Sequence, residues 1–162
     1  MLPRLSLLLT VLAVGCAASV KAPRAPGLAS LPSVELVTLD GQRERLDTAV
    51  AGRVALVSLW ATWCEACQAE FAALGKLDDR VRAKGAIVLA VAVGEPRQTV
   101  AEFVARRGLR YAQLVDEEFK LTDAIGEKRV PTTLVIDRAG RVIFSGGALD
   151  DQALAALRSA LK

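Results

Sequence analysis

The sequence contains no histidine, a single methionine at Met1 and three cysteines in 162 residues. A structural zinc site wants about four Cys or His ligands, and this chain cannot assemble them. Two soft thiolates could still carry Cu(I), but no histidine or internal methionine stands by to complete such a site. Long runs of one charge are missing too. The 21 basic and 18 acidic residues are interspersed and leave a net charge of +3, too even a balance for a nucleic-acid partner. Pairs such as Arg106-Arg107 read as solvated helix face. There is no internal repeat. What remains is a chain of one domain's length, 52% apolar with mixed charges, which is the composition of a globular protein with a single core.

The N-terminus differs in kind from the rest. "MLPRLSLLLTVLAVGCAAS" carries one early cation, Arg4, then an apolar run from Leu5 to Val14, then small residues. That run is too short to span a bilayer and has the pattern of an export signal. Cys16 follows Gly15 directly and resembles the lipidated cysteine of a bacterial lipoprotein signal, with Ala13 where such signals usually have Leu. Ordinary cleavage near Ala17-Ala18 is the alternative. "KAPRAPGLASLP" then reads as a tether. The expected organisation is an export signal over 1–16, a flexible tether over 17–32 and a folded domain over 33–162.

Within the domain, "VELVTLDGQRERL" alternates and breaks at Asp40-Gly41, a hairpin signal. Arg53 to Trp60 is a near-continuous apolar run rich in β-branched residues, as expected of a strand buried on both faces. A helical period follows from Cys64, with Ala66, Phe71, Leu74, Leu77 and Val81 on one apolar face and a stop near Gly85. Ala86 to Val93 is a second buried strand, and Pro96 opens a helix closed by Gly108. A short strand "AQLVD", a helix over 117–125, a hairpin from "TTLVID" and "RVIFSG", and a helix capped by Asp150 complete the order. Strand–helix–strand units imply right-handed parallel crossovers, and the terminal hairpin adds antiparallel strands. The expected fold is a three-layer α/β sandwich: a mixed central β-sheet, helices on both faces and an N-terminal β-hairpin.

Cys64 falls where a buried strand passes into a helix. Unpaired N–H groups and the positive end of the helix dipole there favour thiolate over thiol. Cys67, three residues on, lies one turn deeper and close enough for a disulfide. Cys64 is then the nucleophile towards a substrate disulfide, and Cys67 resolves the mixed disulfide. A staple across so short a loop removes little chain entropy, so a purely structural bond explains the pair poorly. Glu70 stands three residues beyond Cys67, where a partly desolvated carboxylate with a raised pKa could serve as its general base or proton shuttle. Glu65, between the cysteines, complements the helix dipole and opposes the Cys64 thiolate, which favours a reductant. Trp60 reads as core and Trp63 as exposed rim for protein substrates; Gly126 to Arg129, "GEKR", reads as solvated loop.

"SLWATWCEACQAE" together with "RVPTTLVIDRAGRV" resembles the thioredoxin superfamily, and more narrowly its exported TlpA/ResA-like thiol–disulfide oxidoreductases, over 34–162. The resemblance implies the thioredoxin-like version of the sandwich and a cis peptide between Val130 and Pro131, packed against the dithiol, with Val130 offering its backbone to an extended substrate. It also implies a functional Glu70, whereas the buried aspartate that thioredoxin itself has on the preceding strand is replaced by Ser58. Ala66 departs from the branch, where Pro is common, as does Tyr111-Ala112. The expected activity is reduction of protein disulfides, apocytochrome c among the clients, with electrons from a membrane thiol-transfer donor. Cys64, Cys67, Glu70 and Pro131 are the expected catalytic set, and Trp63, Glu65, Ala66 and Val130 the substrate rim. The expectation includes no cofactor beyond the Cys64–Cys67 disulfide, no metal, and a lipid-anchored monomer outside the cytoplasm. A dithiol oxidant and a Cu(I)-binding module are the alternatives.

Overall fold

Apolar runs with no polar face need cover on both sides, and here they form the centre of one sheet. The computed structural model describes residues 29–162. In chain order its elements are β1 (Glu35–Thr38), β2 (Arg43–Arg45), α1 (Leu46–Ala49), β3 (Ala55–Trp60), α2 (Glu65–Arg82), β4 (Ile87–Val93), α3 (Arg97–Arg107), β5 (Ala112–Asp116), α4 (Lys120–Ile125), β6 (Thr132–Ile136), β7 (Val142–Gly146) and α5 (Asp151–Ala160). The seven strands run in the order β2-β1-β5-β4-β3-β6-β7. β3, β4 and β5 are parallel to one another, while β1 and β6 join their outer edges antiparallel. The Asp40-Gly41 turn makes the expected N-terminal hairpin.

Every residue of β3 is buried, because alternate side chains enter different cores. Leu56 and Trp60 pack with Val88, Ala90, Ala92, Phe71, Leu74, Val100, Val104 and Leu157 under α2, α3 and α5. Ala55, Val57 and Leu59 pack with Leu89, Val91, Leu114, Leu46 and Leu121 under α1 and α4. The period-two pleat of the strands thus builds a three-layer sandwich. The caps follow the sequence signals. The Asp150 side chain accepts from Ala153 N–H at 2.8 Å, and Gly108 ends α3 in the left-handed region with φ 62°.

Four local readings need correction. Ala66 is exposed and lies off the apolar face of α2, which instead carries Cys67, Phe71, Leu74, Leu77, Asp78 and Val81. The stretch read as tether up to 32 belongs to the fold from Ala29 onward: Ser30 bridges to Arg141, Leu31 N–H donates to Gly140, and Leu31 is buried. An exposed strand edge and an apolar side chain next to it suffice to dock this segment. The helix expected from Glu117 begins only at Lys120, because Phe119 adopts a left-handed conformation ahead of it. The single turn α1 lay outside the expectation. Residues 1–28, with Cys16 and the export segment, lie outside the described residues. No helix among the described residues is long and apolar enough to cross a membrane.

Candidate active site

β3 ends at Trp60, whose indole is 1% exposed, and the chain turns through Ala61, Thr62 and Trp63 into α2. The indole stands edge-on to Phe71 of α2, centroids 5.1 Å apart, and tilts against Phe103 of α3 at 5.6 Å. Three rings from three elements therefore hold the base of this turn. Cys64 is the N-cap of α2 rather than a residue of its first turn. Its Sγ accepts a hydrogen bond from Cys67 N–H at 3.1 Å. The two cysteines form a disulfide, and Cys64 is the more exposed of the pair, 6% against 1%. Both are buried, but the Cys64 sulfur lies against a helix N–H group, which stabilises negative charge, while Cys67 is the more deeply sealed.

A carboxylate that the sequence reading passed over braces the turn. Glu95, buried just beyond β4, accepts from Thr62 N–H at 2.6 Å and from the Thr62 hydroxyl. Gln68 Nε2 donates to Thr62 O at 2.8 Å, and Arg107 donates to the Gln68 side-chain oxygen while its guanidinium lies 5.3 Å from the Phe103 centroid. The available signal was an acid placed directly after a fully apolar strand and a glycine in "VAVGEP". Its partner, 33 residues earlier, could not be read from local pattern.

Glu70 is half-buried. Its Oε1 accepts from Leu149 N–H at 2.7 Å, and its Oε2 is buried with no hydrogen-bond partner. Burial pushes its carboxyl above the ordinary carboxylate range, the Leu149 N–H opposes that rise, and the charge of Asp150 adds to it. The carboxylate is bonded to the entry of α5, not to a cysteine. Tyr111, also buried, has its phenol pushed up to about 12 by desolvation and stays neutral. Trp63, Glu65 and Ala66 are all exposed around Cys64, Trp63 at 68%. The Val130–Pro131 peptide is cis. Leu59 pairs with Thr132 across β3 and β6, so Val130 and Pro131 sit beyond the same end of β3 from which the chain runs to Cys64. Ser58 is buried within β3. In the "GEKR" loop, Arg129 holds the Glu127 carboxyl down at about 2, and the pair is a surface one. A cleft of about 430 Å³ lies between α2 and the turn 107–111, and neither cysteine lines it.

The family model described as Redoxin matches residues 27–157. The chain is 34% identical over 111 residues to the thiol-disulfide oxidoreductase ResA of Geobacillus thermodenitrificans, an overlap of 68% of this chain and 63% of that protein. It thus spans under two thirds of that relative's length. A thiol:disulfide interchange protein DsbE from Chlorobium tepidum superposes with a TM-score of 0.71 at 26% identity, covering 80% of this chain and 96% of that one. A secreted thiol-disulfide isomerase from Corynebacterium glutamicum does so with a TM-score of 0.68 at 25% identity, covering 81% and 83%.

Proposed function

Since the chain belongs to the Redoxin family and has a thioredoxin-like fold, we propose that it is an exported thiol–disulfide oxidoreductase that reduces disulfides in protein clients. The observation that carries this reading is the asymmetry of the disulfide. Cys64, at the cap of α2, accepts the Cys67 N–H and keeps 6% exposure, while Cys67 keeps 1%. In the reduced protein the Cys64 thiolate attacks one sulfur of a client disulfide. The client S–S bond breaks, a mixed disulfide forms, and the departing client thiolate takes a proton. Cys67 then loses its proton, with Glu70 as the base that relays it, and attacks Cys64 Sγ. The second client thiol leaves, and the Cys64–Cys67 disulfide remains, carrying the two electrons' worth of oxidation that the client lost. Return to the dithiol needs two electrons and two protons from a partner dithiol, for which a membrane thiol-transfer protein is the expected class.

Pro131 and Val130, at the same end of β3 as the disulfide, form the platform for an extended client, with Trp63, Glu65 and Ala66 as the facing rim. Apocytochrome c is among the proposed clients. The N-terminal signal supports export with Cys16 as a lipid anchor, and the secreted relative supports the compartment. The dithiol itself is the redox group, with no further cofactor.

The deciding measurement is the reduction potential of the Cys64–Cys67 couple against defined thiol buffers. A reductant is expected near the roughly −270 mV of thioredoxin, whereas a value near roughly −120 mV would make the protein an oxidant that installs disulfides. Absence of a reversible two-electron couple would overturn both. Cys67→Ser is expected to accumulate mixed disulfides at Cys64 that name the clients.

A further inference from the structure

Among the described residues, Phe119 is the one non-glycine with positive φ, at φ 61° and ψ 21°. An L side chain is disfavoured there and glycine is suited to it. The side chain stays partly exposed all the same. Phe119 is 42% exposed, and it and Trp63 are the two large exposed hydrophobics among the described residues. A bulky apolar side chain held in a strained backbone and left partly exposed points to a use outside the fold.

The neighbours say where that use lies. The edge of the Phe119 ring rests on Gly94, where an added Cβ would stand 2.3 Å from the ring Cζ. Gly94 N–H donates to Asp116 O at 3.0 Å, and Asp116 Oδ2 accepts from Leu121 and Thr122 N–H at 3.1 and 3.2 Å. The turn bearing Phe119 is therefore clamped by hydrogen bonds to the carbonyl and the carboxylate of Asp116. Glu95, next to Gly94, holds Thr62, which precedes Trp63 and Cys64. Because β3, β4 and β5 are parallel, all these turns leave one end of the sheet. The contacts form an unbroken line from the Phe119 ring through Gly94, Glu95 and Thr62 to Trp63, beside the reacting sulfur. Lys128 Nζ lies over the Phe119 ring, 5.8 Å from its centroid.

We propose that Phe119 contacts substrate: with Trp63 it forms a two-ring shelf that receives the apolar side chains flanking the disulfide of an extended polypeptide client. The inference rests on the disulfide-reducing reading above. A polypeptide segment is the fitting occupant because Cys64 is only 6% exposed. A client disulfide must lie across the surface to reach it, bringing its neighbouring side chains over the rings on that surface.

The test compares reduced full-length protein with its Phe119→Gly and Phe119→Asn variants. Both replacements suit a left-handed residue, so melting temperatures should hold or rise for Gly. The probes are 5,5′-dithiobis(2-nitrobenzoate) and two synthetic peptide disulfides, one with Leu and Phe flanking its cysteines and one with Ser there. The variants should match the parent protein on the small disulfide and on the Ser-flanked peptide. They should lose about three- to tenfold in second-order rate on the apolar peptide, the range of an aromatic contact. Phe119→Tyr should keep the parent rate. Equal rates for parent and variants on the apolar peptide would overturn the shelf. Equal slowing on both peptides would also overturn it, by assigning Phe119 a purely structural role. Failure of the parent to reduce even the small disulfide would instead defeat the oxidoreductase reading.

Discussion

Glu70 has one oxygen held by Leu149 N–H and one buried without a partner. A raised carboxyl pKa in the folded state means that folding favours the protonated form. Its contribution to stability is fully present below the ordinary value of 4.5 and is lost as pH rises through the raised folded value. Glu70→Gln keeps an acceptor for Leu149 and removes the charge. Urea denaturation should therefore show the variant more stable than the parent at neutral pH, with the gap closing below about pH 4.5. If Glu70 also relays the Cys67 proton, the pH profile of the resolving step should flatten in the same variant. An unchanged profile would leave Glu70 as a structural tie between α2 and α5. Both Glu95 carboxylate oxygens accept from Thr62. Glu95→Ala strands the Thr62 N–H and should cost about 1–3 kcal/mol in urea denaturation, with slower exchange at Cys64 because the turn before it loses its brace. The i, i+3 spacing from Cys67 put Glu70 on α2 within reach of the inner sulfur, but the group that bonds it in the structure was not legible. Leu149 lies 79 residues away.

The elements divide by how much of their definition is local. α2 starts and stops near where its caps and apolar period place it, and α5 starts on Asp150 as expected; Asp150→Ala should cost about 1 kcal/mol in thermal unfolding, the usual value of an N-cap. α4 is the contrary case. Its sequence supports helix from Glu117, yet the Asp116 carboxylate captures the N–H groups of Leu121 and Thr122, and Phe119 turns left-handed before the first helical residue. The loop after β4 is matched to that turn. Gly94 has φ +69° and no room for a Cβ beneath the Phe119 ring. Gly94→Ala should cost about 1–3 kcal/mol from the backbone alone, and the collision adds to this. In a Phe119→Gly background the collision part should vanish and the backbone part remain, which a double-mutant cycle in urea resolves.

At the scale of the molecule, the redox couple and the fold are linked in one thermodynamic cycle. A dithiol whose folded potential lies below that of the unfolded chain has its disulfide form stabilised by folding, with about 1.4 kcal/mol for each roughly 30 mV. The proposed reductant should therefore melt at a higher temperature oxidised than reduced, and calorimetry on the two forms checks this without any client. A reduced form that melted higher would place the protein among oxidants. The sheet order makes such coupling direct. The disulfide lies at the start of α2, one turn beyond β3, an interior strand flanked by β4 and β6, and Trp60, Ala61, Cys64 and Cys67 all belong to the core under α2, α3 and α5.

The sequence by itself determined the class of fold and the Cys-x-x-Cys pair that the structure joins as a disulfide. Those follow from short-range facts: a buried run passing into a helix, a Cys-x-x-Cys spacing, a dipole. The tertiary structure decided the Thr62–Glu95 brace, the bond from Glu70 to α5, the docking of Ala29 to Leu31 on β7, and the meeting of Phe119 with Gly94. Each joins residues far apart in the chain, where geometry comes from strand register and packing and leaves no periodic trace in the sequence.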